Sequence, residues 1–405
     1  MKTLHWICLL FFAGALVTVS RVHVAASRAG AAVGKMRLPG AGAVIDAAAY
    51  PSIQAAIDAL PAAGGVVRLP PGTFEIAEPL RVGVSDAVIE GAGTATHIKN
   101  VNTEGKSALI LQHPSGRDDR QGELWRIRLA DFRLTGNDKS GHGIEARRIN
   151  EIFIEGVTVS EHGGDGIHLY FCYEDPRICD SLVTYNKKTG LNLIGCHDIV
   201  VSSNQFEENR DAVRCVDGFN LCMTGNNLDD HLGDGVVIEN TYGSVVSGNM
   251  IEECNGTAIV LDRDCYGITL SANVIAHNVA GGVDLRDAHG CAVSANTFTI
   301  VKKHALRIGP DSGRITVCGN NFSDSYIGRD KVKRQPNDTA AAGLTLEGAA
   351  DVAVVGNLFS SVAPKALATE GKPSVRVLFS SNVLRDTTSD AEKCDNSLVE
   401  MNLEE

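Results

Sequence analysis

The sequence predicts an all-β solenoid, a stack of short strands repeated along one axis. Three observations predict it. First, between Gly190 and Leu306 a small residue opens a short apolar run again and again: GLNLIG, AVRCV, GVVIEN, AIVLDR, GVDLRD and ALRIG start at Gly190, Ala212, Gly235, Ala258, Gly282 and Ala305. The steps are 22, 23, 23, 24 and 23 residues, and a period sustained in this range is the signature of a solenoid. Second, an Asn recurs at the same period, at Asn204, Asn226, Asn249, Asn273, Asn296, Asn320, Asn357 and Asn382. Third, aromatic residues make up only 5% of the chain while Gly numbers 42 of 405. That balance suits short strands and tight turns better than a core of large side chains.

The elements follow in order. Residues 1–26 read as a secretory signal: Lys2, then an apolar run of 14 residues from Trp6 to Val19, then Val24-Ala25-Ala26 before Ser27. The run is too short to span a membrane. The chain is therefore expected to be exported, periplasmic or extracellular, with no membrane span once the signal is removed. Loss of Lys2 and Arg21 moves the formal charge from −12 to −14, and so acidic a chain is a poor partner for nucleic acid. Ten cysteines lie beyond the signal. Cys172 and Cys179 can close the loop between them, whereas Cys172 and Cys196 are one repeat apart, as stacked thiols would be. No Cys/His spacing suggests zinc.

Residues 27–45 are an Ala/Gly-rich lead-in, and the solenoid is expected to occupy 46–390. Ser52 can cap a helix running to Leu60, with Ile53, Ala56, Ile57 and Leu60 on one face. A helix at the open end of a solenoid covers apolar surface that water would otherwise meet. The repeat can be walked back from Gly190 to Gly166 and Gly143, and forward to Gly343 and Ala366. The step from Ala305 to Gly343 is 38 residues. The excess falls in a loop at 323–342 carrying Arg329, Lys331, Lys333 and Arg334. Residues 391–405 form an acidic tail expected to cap or fray. The recurrent Asn residues are expected in tight turns, tolerating left-handed backbone and bonding amide to amide between rungs.

The segment YPSIQAAIDALPAAGGVVRLPPGTFEI, residues 50–76, resembles the start of the pectate-lyase-like superfamily. The resemblance implies a single right-handed parallel β-helix whose N-terminal helix caps the first rung, and it implies a carbohydrate substrate class; the chain is expected to be a monomer. It does not select a reaction. Polygalacturonase-like hydrolases carry NTD, DD, GHG and RIK segments in successive rungs. Here Gly141-His142-Gly143 is a GHG but precedes Gly164-Asp165-Gly166 and Gly233-Asp234-Gly235, and RIK is absent. The Asp-Pro-His of alginate epimerases is absent as well, Asp175-Pro176 being followed by Arg177. No calcium-site set like that of the pectate lyases is evident. Repeats like these also occur in periplasmic β-helix proteins with no enzymatic role.

Alternation places the third residue of each small-Φ-x-Φ run outside the core. The resulting outward column is Glu145, His168, Asn192, Arg214, Val237, Val260, Asp284, Arg307, Thr345 and Ala368. The residue before each small anchor forms a neighbouring column that includes His142, Asp165, Thr189, Asp211, Asp234 and Thr257. Ionisable members crowd the upstream half, where His142, Glu145, Asp165, His168, Lys188, Asn192, Arg210, Asp211, Arg214 and Asp234 fall within about 20 Å. Tyr170, Tyr173 and Tyr242 flank this patch, and such rings suit stacking on sugar faces.

Two chemistries fit. In β-elimination or C5 epimerisation of a uronic polymer, His168 or Lys188 serves as base. Arg214 or Arg210 then neutralises the substrate carboxylate, while Asp165, Asp211 or Asp234 orients the His or holds a Ca²⁺ ion. In glycoside hydrolysis, two of the Asp residues serve as acid and base. A third reading is a non-catalytic polysaccharide-binding surface. His231 and His277 fall in turns and are expected to face solvent. His197-Asp198 is expected to cap a turn.

Overall fold

The computed structural model describes residues 38–301, 303–323 and 342–404. The chain divides into Met1–Ala41 and Gly42–Glu405. The expected signal at 1–26, and the basic loop with Arg329, Lys331, Lys333 and Arg334, lie outside the described residues.

Small anchors followed by alternating apolar residues fold as the repeat predicts. One turn runs from strand Leu191–Ile194 through Val200–Ser202 and Gln205–Glu207 to Val213–Val216, which begins the next turn directly over the first. Among the described residues the strands form parallel sheets of 12, 18 and 14 strands, one on each side of the tube. Inward side chains stack rung on rung: Leu193, Val201 and Phe206 are fully buried. Phe298, Phe322 and Phe359 form a stack with centroids 4.6 Å apart. The end helix spans Ile53–Asp58, its first turn capped by Ser52 Oγ, which accepts the Ala55 N–H at 3.1 Å, with Ile53, Ala56 and Ile57 buried.

Two boundaries differ from expectation. The first strand, Ala43–Asp46, begins inside the expected lead-in. The acidic tail adds strands Cys394–Asp395, Leu398–Val399 and Leu403–Glu404 to the stack. They extend the last complete turn, because the edge of residues 374–385 would otherwise leave backbone groups unpaired.

The Asn column is a continuous side-chain ladder that continues to Asn402. Asn204 donates both its backbone N–H and its Nδ2 to Asn226 Oδ1 at 3.0 Å, and Nδ2 also reaches the Ile178 carbonyl at 3.0 Å. The left-handed residue is not the Asn but its predecessor: Ser203, Gly225, Gly248, Ala272, Ala295, Gly319, Gly356 and Ser381 all have positive φ. Asn is needed for its amide, which satisfies buried backbone groups at a corner where the chain leaves one sheet for the next. Asn249→Leu is therefore expected to destabilise the protein by about 2–4 kcal/mol. It leaves the Asn226 N–H and the Met223 carbonyl buried without their partners. A denaturation midpoint unchanged from wild type would contradict the ladder's role.

All ten cysteines of the described region are free thiols, so the Cys172–Cys179 loop is not closed by a disulfide. Cys172 and Cys196 instead lie buried on neighbouring rungs, each with its Sγ directed at a carbonyl of the rung before.

Candidate functional site

The outward column forms in the predicted register. Glu145 pairs with His168, His168 with Asn192, Asn192 with Arg214, and Arg214 with Val237. The same register continues through Val260, Asp284, Arg307, Thr345 and Ala368. Polar and apolar zones divide this face. Val237 and Val260 point outward yet are 4% and 0% exposed, so the middle of the face is covered.

The centre of the upstream zone is Asp165, which is 3% exposed. Its Oδ1 accepts the Thr189 N–H at 3.0 Å, and its Oδ2 accepts Asn192 Nδ2 at 3.0 Å and His168 Nδ1 at 2.9 Å. Burial alone would raise the carboxyl, but the hydrogen bonds from His168 and Asn192 and the nearby imidazoles outweigh it and hold Asp165 below the ordinary carboxylate value. Asp165 is thus an anion that orients His168. With the proton on Nδ1, His168 presents an Nε2 lone pair that has no protein partner among the described residues.

His142 stacks on His168 with centroids 4.6 Å apart and planes at 26°. Its polarity is opposite. The Asp165 N–H donates to His142 Nδ1 at 3.0 Å, so the neutral ring carries its proton on Nε2. Burial lowers the His142 pKa, more than the Asp165 and Glu145 charges raise it, with His168 and Lys188 lowering it further. The pair therefore offers a proton acceptor and a hydrogen-bond donor side by side. Glu145, on the rung below His168, accepts the Ser107 hydroxyl at 2.8 Å.

The cations divide into spent and free. Arg214 donates to Glu239 at 3.1 Å and lies 3.8 Å from Asp211, and Glu239 is shared with Arg263. Lys188 and Arg210 are exposed, occupy adjacent rungs through an Arg210 N–H to Lys188 carbonyl bond of 3.0 Å, and have no ion-pair partner among the described residues. Lys188 directly precedes Thr189, the residue bonded to Asp165.

Asp211 and Asp234 prove to be parts of the stack. Asp211 Oδ1 accepts the Asp234 N–H at 3.0 Å, and Asp234 Oδ1 accepts the Thr257 N–H at 2.7 Å. The column before the anchors is thus a chain of acceptors for the next rung's backbone. Only at Asp165 does the second oxygen also serve a histidine.

Tyr170 lies two residues from His168 on the same face, with the Arg147 guanidinium 4.2 Å over its ring. Tyr173 and Tyr242 lie at the corner beyond, in a separate row of rings. His197 belongs to this row: its ring is 4.7 Å from Tyr173 and 4.3 Å from Phe219, so its ring packs between rungs instead of capping a turn.

Two histidines are fully buried, one of them against expectation. His231 is fully buried instead of solvent-facing, and burial pushes its pKa down to about 4. His162, which sequence reasoning did not single out, is also fully buried with its pKa pushed down to about 4. His277 is partly exposed, 3.4 Å from Glu253.

The ligating atoms of His142, Asp165 and His168 lie within 4.8 Å of one another, as do those of Asp264, Asp287 and His289, and those of Asp229, Asp230 and Glu253. In the first group both Nδ1 atoms already serve protein hydrogen bonds.

The family described as "Right handed beta helix region" matches residues 89–231, and that described as "Periplasmic copper-binding protein (NosD)" matches residues 180–361. No curated protein matches the chain by sequence. Among solved structures, DFA-IIIase from Arthrobacter chlorophenolicus A6 is 15% identical with a TM-score of 0.58, covering 88% of this chain and 98% of that one. The A-module of the mannuronan C-5 epimerase AlgE6 from Azotobacter vinelandii is 17% identical with a TM-score of 0.52, covering 89% and 99%. Tailspike protein 3 of bacteriophage CBA120 is 12% identical with a TM-score of 0.54, covering 81% and 59%. Likenesses at such identity show the fold. Copper favours imidazole and thiolate donors. Within residues 180–361 the His-containing group among the described residues is Asp264, Asp287 and His289, one imidazole beside two carboxylates. No helix among the described residues is long and apolar enough to cross a membrane.

Proposed function

We propose that this right-handed parallel β-helix protein, pectate-lyase-like in its repeat, is an exported enzyme that removes the C5 proton of a uronic-acid polymer, as a lyase or a C5-epimerase. The observation that carries the reading is the Asp165–His168 pair, whose hydrogen bond fixes the tautomer and leaves Nε2 as a directed base. A base held by a buried carboxylate beside a ring of opposite polarity is the arrangement that proton transfer requires. In the proposed reaction His168 Nε2 takes the C5 proton. Lys188 and Arg210 lie against the substrate carboxylate and stabilise the charge that develops there. In elimination the imidazolium formed at His168 passes the proton to the departing glycosidic oxygen, and in epimerisation water returns a proton to C5 from the opposite face; the His142 Nε2–H donates a hydrogen bond to the bound sugar.

Glycoside hydrolysis is less well supported. It needs a protonated carboxyl as acid, and Asp165 is held ionised while Asp211 and Asp234 each commit Oδ1 to backbone. A fold shared with a mannuronan C-5 epimerase makes mannuronan a natural first substrate.

The test is incubation of the protein with mannuronan and with polygalacturonate, following unsaturated ends by ultraviolet absorbance and C5 inversion by proton NMR. Lys188→Ala and Arg210→Ala are each expected to raise KM about tenfold, the worth of one charge-assisted contact. Binding of the polymers without unsaturated ends or inversion would leave a non-catalytic polysaccharide-binding surface in place of the enzyme.

A further inference from the structure

Around the corner from His168 the chain forms a cavity of about 570 Å³, lined by Trp125, Asn150, Tyr173 and His197 with Arg120, Arg148, Glu123 and Glu174 at its walls. Asn150 is 3% exposed. Its Nδ2 donates to Glu123 Oε2 at 3.4 Å, while its Oδ1 has no hydrogen-bond partner. A buried amide oxygen without a donor is costly to a fold. That oxygen is enclosed, so a ligand O–H or N–H in the cavity supplies the missing bond only where the side chains at its wall give way. Arg120 has no ion-pair partner among the described residues.

The cavity opens one end of a row of rings. From Tyr173 the row runs through His197 and Phe219 to Tyr242, with successive ring centroids 4.7, 4.3 and 4.4 Å apart. His197, Phe219, Tyr242 and Tyr266 pair in register, one per rung, and Tyr266 pairs with His289. Tyr242 and Tyr266 are 50% and 54% exposed, so packing within the core does not account for them. They line a second hollow of about 300 Å³ with Asp217, Asn240 and Asp264 at its polar edge. Rings repeated along an axis, each set edge-to-face against the last and bordered by hydrogen-bonding groups, offer apolar faces and polar edges in alternation, as a sugar chain does.

We propose that this corner is a glycan-binding track separate from the His168 face. The cavity takes one terminal sugar unit, stacked on Tyr173 and Trp125 with a hydroxyl donating to Asn150 Oδ1. The rest of the chain runs parallel to the solenoid axis over His197, Phe219, Tyr242 and Tyr266. The track rests on residues other than the proposed proton-transfer pair and stands whether or not His168 is catalytic.

Trp125 makes the site observable, because the only other tryptophan is Trp6. The full chain carrying His168→Ala, which spares the probe from turnover, is titrated with oligomannuronate, oligogalacturonate and a neutral inulin oligosaccharide while tryptophan emission is followed. A saturable change with at least one of these is expected. Asn150→Leu and Tyr173→Ala are each expected to weaken it about tenfold, with circular dichroism and melting temperature near those of the parent. Tyr242→Ala, far from the cavity, is expected to weaken long oligosaccharides and not short ones. A response to the acidic probes alone assigns Arg120 to a uronate carboxylate, and a response to the neutral probe assigns the track to sugar faces and hydroxyls. Saturable binding in a protein whose wild type shows no turnover leaves the track standing and removes the enzyme reading. No saturable change with any probe, or a change indifferent to Asn150→Leu, Tyr173→Ala and Tyr242→Ala, overturns the track.

Discussion

Replacing His168 with Ala is expected to lower kcat on a uronic polymer by about 10²–10⁴-fold and to leave KM within about twofold, the pattern of a group that acts on the proton in flight and not on the bound sugar. Asp165→Asn should lose nearly as much for a different reason. An Asn at 165 can keep its oxygen on the Thr189 N–H, but it then turns an amide N–H toward His168 Nδ1. The imidazole must answer with a lone pair at Nδ1, which moves its proton to Nε2 and removes the base. The two variants together separate catalysis from structure. If Asp165 and His168 were only a satisfied pair on a solvated sheet, both substitutions would lower thermal stability and leave kcat untouched.

The second large effect is acid sensitivity. His162 and His231 are buried neutral, with folded pKa values of about 4 against an ordinary value of 6.5. A depressed histidine pKa means that the unfolded chain binds the proton first. The stability is complete above pH 6.5 and is lost as the pH falls from there towards 4. Each site then costs about 3 kcal/mol, and two such sites approach the whole stability of an ordinary fold. Asp230 partly offsets the shift at His231, and His142 adds to it at His162. The column that holds them carries Asn at other rungs, where Asn186, Asn209 and Asn278 bond along the stack. His231→Asn should therefore fold, extend that ladder and flatten the loss of melting temperature between pH 6.5 and 4. An unchanged pH profile would mean that His231 does not carry the acid limb.

Much of this architecture could be read directly from the chain. A side-chain period of two within each strand, multiplied by a rung period of 22–24, placed Glu145, His168, Asn192 and Arg214 in one column. That register follows from burial alone, because a slip of one residue would turn every apolar side chain outward. What the sequence could not separate was the duty of each carboxylate. Asp165, Asp211 and Asp234 share one column, each directly before a small anchor, and all three cap the next rung's backbone. Only the side chain that meets the second oxygen distinguishes them, and that contact depends on the neighbouring rung. Similarly, Arg214 looks like a free neutraliser until Glu239, on the next rung and two residues farther along its strand, takes it up.

The buried histidines were hidden for a related reason. A His at a turn reads as polar and exposed, and only its phase within the Asn186–Asn209 column shows that it faces inward. The row of rings did have a usable signal. His197, Phe219, Tyr242, Tyr266 and His289 follow one another at steps of 22, 23, 24 and 23 residues. That is the same period as the anchors, in a phase that apolar strand patterns do not emphasise.

The central claim is that His168, held by Asp165, removes the C5 proton of a uronic sugar. The most direct measurement is NMR of mannuronan incubated with the protein in D₂O, which registers deuterium at C5 if the sugar is reprotonated and unsaturated ends if it is eliminated. The wild type is expected to produce one or the other, and His168→Ala and Asp165→Asn to produce neither above background. C5 exchange or elimination at the wild-type rate in His168→Ala would contradict the account, and so would their complete absence from the wild type on mannuronan and polygalacturonate alike.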